Sequence, residues 1–308
     1  MEINRIVSFF PSATELLYEL GVWDRVFGVT HECNYPEDAK LKPKVIRSVF
    51  EPNAMSSKEI DEKIVELVRS GKEIYEVDEE KLRNAKPDLI ISQDTCEVCS
   101  AYTNHVTKAL NLLDNKPEIH SLDPHDVQGI LDSIRTVSKK IGREKNGNKI
   151  IQSLKKRIDF IQSMNFKIKP RVLALEWLDP FFTSGHWVPE MIEIAGGKNQ
   201  ISSKGEKSRR MKFEEIECCD PDLIVLMPCG FDTNRTILEY QSILQKDQQW
   251  NKLRAVKQHN VFAVDANSDF SKPSLRTITG IEILAKIIHP EIFRKEKNSE
   301  ESFKQIKS

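Results

Sequence analysis

Along this chain, short unbroken blocks of apolar residues alternate with longer stretches in which apolar residues recur every three or four positions. The first pattern predicts buried strands and the second amphipathic helices. Residues 5–9 form one block and 25–30 another. Between them Leu16, Leu17 and Leu20 make a helical stripe that stops at Gly21, with Ser12 and Glu15 at capping-box spacing. Helical spacing returns over 58–68 and 102–113, and a further strand is predicted over 118–122.

One block occurs twice. Lys86-Pro87-Asp88-Leu89-Ile90-Ile91 is matched by Asp220-Pro221-Asp222-Leu223-Ile224-Val225. Each copy reads as a turn feeding a buried strand, and each strand runs into a cysteine-bearing loop, Gln93-Asp94-Thr95-Cys96-Glu97-Val98-Cys99 in the first and Pro228-Cys229-Gly230-Phe231 in the second. Between the copies, Val127, Ile130, Leu131, Ile134, Val137 and Ile141, then Ile150, Ile151, Leu154, Ile158 and Ile161, predict one long helix over about 126–164, kinked near Gly142 and Asn146-Gly147. After it the pattern restarts: a strand at 171–175, a loop over 176–187, a short helix opened by Pro189 and closed by Gly196-Gly197, a strand at 260–264, and a last helix halted by Pro290. Strands alternating with helices imply mainly parallel sheets with right-handed crossovers. The expected fold is α/β: two Rossmann-like lobes with mainly parallel sheets, joined by a long interdomain helix. The expected boundaries are 1–125 for the N-terminal lobe, 126–168 for the linking helix, 169–295 for the C-terminal lobe and 296–308 for a charged, frayed tail.

Composition narrows the functional classes. The 308 residues suffice for two cores. A net charge of −1 supplies no field for nucleic acid or acidic lipid. No apolar stretch approaches the ~20 residues that span a bilayer, and the first ten residues lack a leader pattern. The expectation is a cytoplasmic protein, extracytoplasmic only if exported by another route. Six cysteines in such a chain suggest metal ligands, catalytic thiols or small core residues rather than a disulfide framework.

Sorting the unusual residues by strand places the candidate chemistry. Pro11 and Ser12 follow the first strand, His31 and Cys33 the second, and Cys96 and Cys99 the third. Glu176, Trp177, Phe182, His186 and Trp187 follow the first strand of the second lobe, Cys229 and Phe231 the next, and Phe270 the last. Cys218 and Cys219 precede their strand and belong at the opposite end. In open α/β sheets ligands bind beyond the carboxyl ends of the strands, so the first group is expected to converge on a cleft between the lobes. Cys96 and Cys99 have metal-ligand spacing, which His31, Cys33, Cys229 or His186 would complete as a zinc or iron site if folding brings them together. The same pair fits a redox dithiol, although Glu97 between the thiols disfavours thiolate. Equally, each thiol fits a small buried hydrophobe. The aromatic side chains suit a broad, partly apolar ligand, with about half of them packing on neighbouring loops instead. Walker, G-x-G-x-x-G and G-x-S-x-G motifs are absent from the sequence.

These motifs resemble the substrate-binding proteins of cobalamin and ferric-siderophore ABC transporters. The resemblance rests on Ile6-Val7-Ser8-Phe9-Phe10-Pro11-Ser12-Ala13-Thr14-Glu15, Asn34-Tyr35-Pro36, Lys86-Pro87-Asp88-Leu89-Ile90, Pro180-Phe181-Phe182-Thr183-Ser184-Gly185, Ala195-Gly196-Gly197 and Ser271-Lys272-Pro273-Ser274-Leu275-Arg276. It implies two lobes joined by a rigid helix, cobalamin or a ferric siderophore as small-molecule ligand, and a membrane permease as partner. Carried over, it points to Pro11, Ser12, Tyr35, Phe182, Trp187 and Phe270 as ligand contacts. The His/Cys cluster departs from the transport receptors and keeps an alternative open, a cytoplasmic enzyme with a thiolate or metal site in the same cleft, with Glu176 or His186 as base.

Overall fold

The computed structural model describes residues 3–94, 101–293 and 302–307. Two compact units emerge, one of Met1–Ala54, Glu62–Pro124 and Gln128–Gln152, the other of Met55–Asp61, His125–Val127 and Ser153–Ser308. The α/β class with mostly parallel sheets holds in both.

The first unit carries strands β1 (Ile6–Ser8), β2 (Val26–Thr30), β3 (Lys44–Ser48), β4 (Tyr75–Val77), β5 (Leu89–Gln93) and β6 (Glu118–Leu122), in the sheet order β4-β3-β2-β1-β5-β6. All its pairings are parallel except β3 with the edge strand β4. Helices α1 (Pro11–Glu19), α2 (Ser57–Arg69), α3 (Glu79–Ala85), α4 (Ala101–Leu112), α5 (Val127–Lys140) and α6 (Glu144–Gln162) follow in the chain; by residue membership, α2 starts and α6 ends in the second unit. Val7, Phe9, Ile46, Leu82 and Ile90 form the apolar core.

The second unit carries β7 (Arg171–Leu178), β8 (Phe181–Thr183), β9 (Lys198–Asn199), β10 (Leu223–Leu226), β11 (Val261–Val264) and β12 (Phe303–Gln305), ordered β12-β11-β10-β7-β8, with β9 beside the start of β7. Its helices are α7 (Val188–Ile194), α8 (Phe213–Cys219), α9 (Thr233–Ile243), α10 (Arg254–Lys257), α11 (Ala266–Asp269), α12 (Thr277–Ile288) and α13 (Pro290–Phe293). Leu173, Ile224, Leu226, Tyr240 and Trp250 anchor its core.

The repeated block has one physical role in both units. β5 and β10 are interior strands, each flanked by parallel neighbours. The aspartate ahead of each clamps the start of the neighbouring strand: Asp88 Oδ2 accepts the backbone N–H groups of Asn4 and Arg5 at 3.0 Å each, and Asp222 Oδ2 accepts that of Arg171 at 2.8 Å. Arg171 and Arg254 also ion-pair with Asp220 and Asp222. Burial alone would raise the Asp222 carboxyl, but hydrogen bonds from the Arg171 side chain and backbone and from Arg254 hold it down, to about 2.

Several expectations need correcting. The helix after β1 starts two residues early, with Phe10 rather than Ser12 as cap and Pro11 in the first turn, so Ser12 and Glu15 form no capping box. Pro11 fixes the helical φ there and displaces Ser12 into the first turn; the buried Ser12 hydroxyl has no hydrogen-bond partner. A true capping box sits at α2, where Ser56 N donates to Glu59 Oε2 at 2.8 Å and Glu59 N to Ser56 Oγ at 3.3 Å. The expected long helix is two, α5 and α6: Gly142 takes φ +69, and Arg143 N closes α5 onto Ser138 O at 2.7 Å. Part of the expected 176–187 loop is strand, because β7 runs on to Leu178 and pairs antiparallel with β8. Residues 303–305 of the expected frayed tail form β12, antiparallel to β11.

Candidate functional site

In the first unit, the residues after β1 and β2 make a buried hydroxyl web. The Thr14 hydroxyl donates to Ser8 Oγ at 2.8 Å, and the Cys33 sulfur lies 3.1 Å from Thr14 Oγ1 and 3.3 Å from Thr30 Oγ1. Lys44 Nζ donates to the Cys33 carbonyl at 3.1 Å. Burial pushes the Cys33 thiol above its usual range, against the lowering pull of the two threonine hydroxyls. Cys33 therefore behaves as a small buried polar residue, and thiolate character is disfavoured. His31 sits beside it with its ring 5.7 Å from that of Tyr75, and Tyr35 is exposed. Among the described residues no three His, Cys, Asp or Glu groups come together as a metal site. Cys96 and Cys99 lie outside the described residues, and Cys229 is exposed on the second unit.

The first unit also holds an open cavity of about 580 Å³, lined by Val49, Leu67, Tyr75, Asn104, His105 and Lys108. His105 Nε2 donates to the Tyr75 carbonyl at 2.8 Å, which seats the imidazole against β4. The helical spacing of α2 and α4 was legible in the sequence, but the three-residue strand β4 between them was too short to show, so nothing placed the two helices around one cavity.

In the second unit, the hairpin of β7 and β8 brings Glu176, Trp177 and Phe182 together. Gly185 N donates to Glu176 Oε1 at 2.9 Å, and the Ser208 hydroxyl donates to Glu176 Oε2. Cys229 N donates to the Glu176 carbonyl at 3.1 Å. Glu176 thus ties three loops together, and its two oxygens are engaged where a general base needs a free one. The Phe182 ring lies 5.7 Å from the Arg210 guanidinium. His186 adopts φ +53, and its ring stacks on His125 at 5.7 Å and lies 5.6 Å from Trp187.

The aromatic candidates divide in two. Trp177, Phe182 and His186 keep partial exposure. Trp187, Phe231 and Phe270 are buried. Trp187 Nε1 donates to the Phe270 carbonyl at 2.8 Å, and the Arg235 guanidinium lies 3.6 Å from the Phe231 ring centre, with Trp177 edge-on to that ring at 5.5 Å. Those three pack within the unit, the alternative the sequence held open for half of the aromatic candidates. Cys218 and Cys219 end α8 at the amino end of β10, the opposite side from Glu176 and Cys229, as the strand sorting expects. No helix among the described residues is long and apolar enough to cross a membrane.

Known proteins resemble this chain along nearly its whole length. The model of the family described as "Periplasmic binding protein" matches residues 6–268. The uncharacterized ABC transporter substrate-binding lipoprotein YvrC of Bacillus subtilis is 27% identical over 95% of this chain and 82% of its own. Among solved structures, the periplasmic vitamin B12-binding protein BtuF of Vibrio cholerae superposes with a TM-score of 0.67 at 20% identity, covering 96% of this chain and 99% of that one. IsdE of S. aureus, solved in complex with heme, gives 0.70 at 17% identity, covering 94% and 100%.

Proposed function

This chain belongs to the periplasmic binding protein family, and on that premise we propose that it is the substrate-binding protein of an ABC transporter whose ligand is a flat, metal-centred macrocycle of the cobalamin or heme class. The observation that carries this reading is the set of partly exposed rings, Trp177, Phe182 and His186, at the carboxyl-end loops and hairpin of the second unit. Broad π faces with polar tips bind large, partly apolar ligands at low conformational cost. The ligands named for the vitamin B12-binding relative and the heme complex belong to that class. Within it, cobalamin is the preferred candidate, and Pro11, Ser12 and Tyr35 are the contacts proposed from the first unit. A permease of the same transporter is the implied partner. The enzyme alternative gains nothing from Cys33 or Glu176, whose burial and hydrogen bonds oppose thiolate and general-base roles.

Titration of the purified full chain with cyanocobalamin and, separately, with hemin tests the reading. The expected result is a saturable change in the visible spectrum of one of them, with quenching of tryptophan fluorescence. At a free ligand concentration of about 100 times Kd, the folded state should gain about 2.7 kcal/mol, read as a higher Tm. Unchanged spectra and an unchanged Tm with both macrocycles would reject it.

A further inference from the structure

The entry to α2 is tied by several side-chain hydrogen bonds from residues distant in sequence. Ser57, its first residue, is polar yet 0% exposed. Its backbone N–H and its hydroxyl both donate to Glu239 Oε1, at 2.7 and 2.5 Å. Glu239 lies on α9, is itself 8% exposed, and stands 182 residues away in sequence. One helical turn before it, Arg235 donates to the Met55 carbonyl at 2.9 Å while its guanidinium covers the Phe231 ring at 3.6 Å. Trp177 Nε1 donates to the Ser57 carbonyl at 3.1 Å. All of these residues belong to the second unit.

The physical logic of the contact is plain. The first turn of a helix exposes unpaired N–H groups and the positive end of its dipole, which favour a carboxylate. A buried carboxylate such as Glu239 needs such donors to offset its lost hydration. The helix already has its own cap in the Ser56–Glu59 box, so Glu239 adds an attachment that helix formation itself does not require. The attachment is made by Trp177 and by Arg235, which covers Phe231; Trp177 and Phe231 are both expected from the sequence to meet ligand. In the structure the indole N–H is used on the chain's own backbone and the Phe231 face is covered.

We propose that the turn Met55–Ser57 is a built-in competitor for these side chains: it engages Trp177 and Glu239 directly and Phe231 through Arg235, and ligand reaches them only after the turn has left. The vacated recess presents an indole, a phenyl ring, the Arg235 guanidinium and the Glu239 carboxylate. With the Arg235 guanidinium seated on the Phe231 ring, Glu239 is the group that accepts the amide N–H donors of a flat ligand and disfavours one edged with carboxylates. The inference rests on the macrocycle reading given above and names the groups that select within that class.

The test uses the full chain, wild type and the variants Ser57→Ala and Glu239→Ala, with cyanocobalamin (amide-edged) and hemin (carboxylate-edged) as probes. Amide hydrogen exchange over residues 57–59 reports the turn, and fluorescence titration reports affinity. Saturating cyanocobalamin should speed exchange of the Ser57 amide at least about tenfold. Ser57→Ala should bind cyanocobalamin about fivefold more tightly, because a larger fraction of molecules has the recess open. Glu239→Ala should narrow the preference for cyanocobalamin over hemin. If Glu239→Ala fails to fold, Ser57→Ala, which removes only a hydroxyl, carries the affinity arm. Unchanged or weaker cyanocobalamin binding by a folded variant whose turn has lost protection overturns the competition, as does a turn still protected in the saturated complex. Absence of binding by wild type and variants alike, with either probe, removes the macrocycle reading and the competition together.

Discussion

Gly185→Ala is expected to destabilise the protein by about 3 kcal/mol, the upper end of the range for forcing extra atoms into a packed site. A β-carbon at this position would stand 2.4 Å from the Ser208 backbone nitrogen and 2.8 Å from the Glu206 carbonyl oxygen. Both neighbours are main-chain atoms, so relief requires moving the 206–208 segment rather than turning a side chain. That segment is held from both sides: His186 N donates to Glu206 O at 2.6 Å and Gly205 N to His186 O at 2.9 Å. Displacing it also pulls the Ser208 hydroxyl from Glu176 and threatens the Gly185 N–H bond to the same carboxylate. His186 and Trp187 directly follow, so ligand affinity should fall with stability. Guanidinium unfolding at a fixed slope measures the loss as a shift in midpoint. A change below about 1 kcal/mol would mean that the segment gives way far more readily than its hydrogen bonds imply.

Asp222→Ala is the second large effect, expected at about 2 to 3 kcal/mol. It strands the Arg171 backbone N–H at the start of β7 and removes a carboxylate shared by Arg171 and Arg254. A partly buried donor left without its acceptor loses about 1–3 kcal/mol, and hydrogen bonds to a charged group lie at the upper end of that range. The acid dependence has a definite sign. The folded carboxyl sits at about 2, below its usual 3.8, so Asp222 contributes fully above about pH 4, and the contribution disappears as the pH falls through about 2. Wild type and variant should therefore differ most near neutrality and converge toward pH 2. A gap that stays constant across that range would assign the loss to packing alone. Asp88→Ala in the first unit removes the acceptor of the Asn4 and Arg5 backbone N–H groups and should cost less than Asp222→Ala, which strands two arginine side chains as well.

These two residues also mark how far the sequence could be read. The doubled Pro-Asp-Leu-Ile block announced both interior strands correctly, because a run of branched apolar residues behind a proline turn fits little else. The order of strands by which residues cap their carboxyl ends followed from it, and with it the separation of Cys218 and Cys219 from Cys229. Where the reading stopped, the cause was range. Strands as short as Tyr75–Val77 and Phe181–Thr183 carry too few residues to show alternation. The break between α5 and α6 was visible as Gly142, yet the apolar spacing on both sides favoured continuity. Ser12 and Glu15 have the right spacing for a cap, but a proline placed one residue earlier took over the first turn. The burial of Trp187, Phe231 and Phe270 depends on partners such as Arg235 and the Phe270 carbonyl, which only the folded chain brings near. The Glu239–Ser57 attachment spans the greatest distance of all, and no local pattern could announce it.

The strand formed by Phe303–Gln305 gives the segment around it an unexpected duty. It hydrogen-bonds along β11 through Phe262, Ala263 and Val264, and Ile306 beside it is buried against the second unit's core. A polypeptide cut before Ser302 would bare one flank of β11. Open backbone donors and acceptors on such a flank pair readily with the same flank of another molecule. Turbidity on storage, rather than a lost ligand site, would be the first symptom.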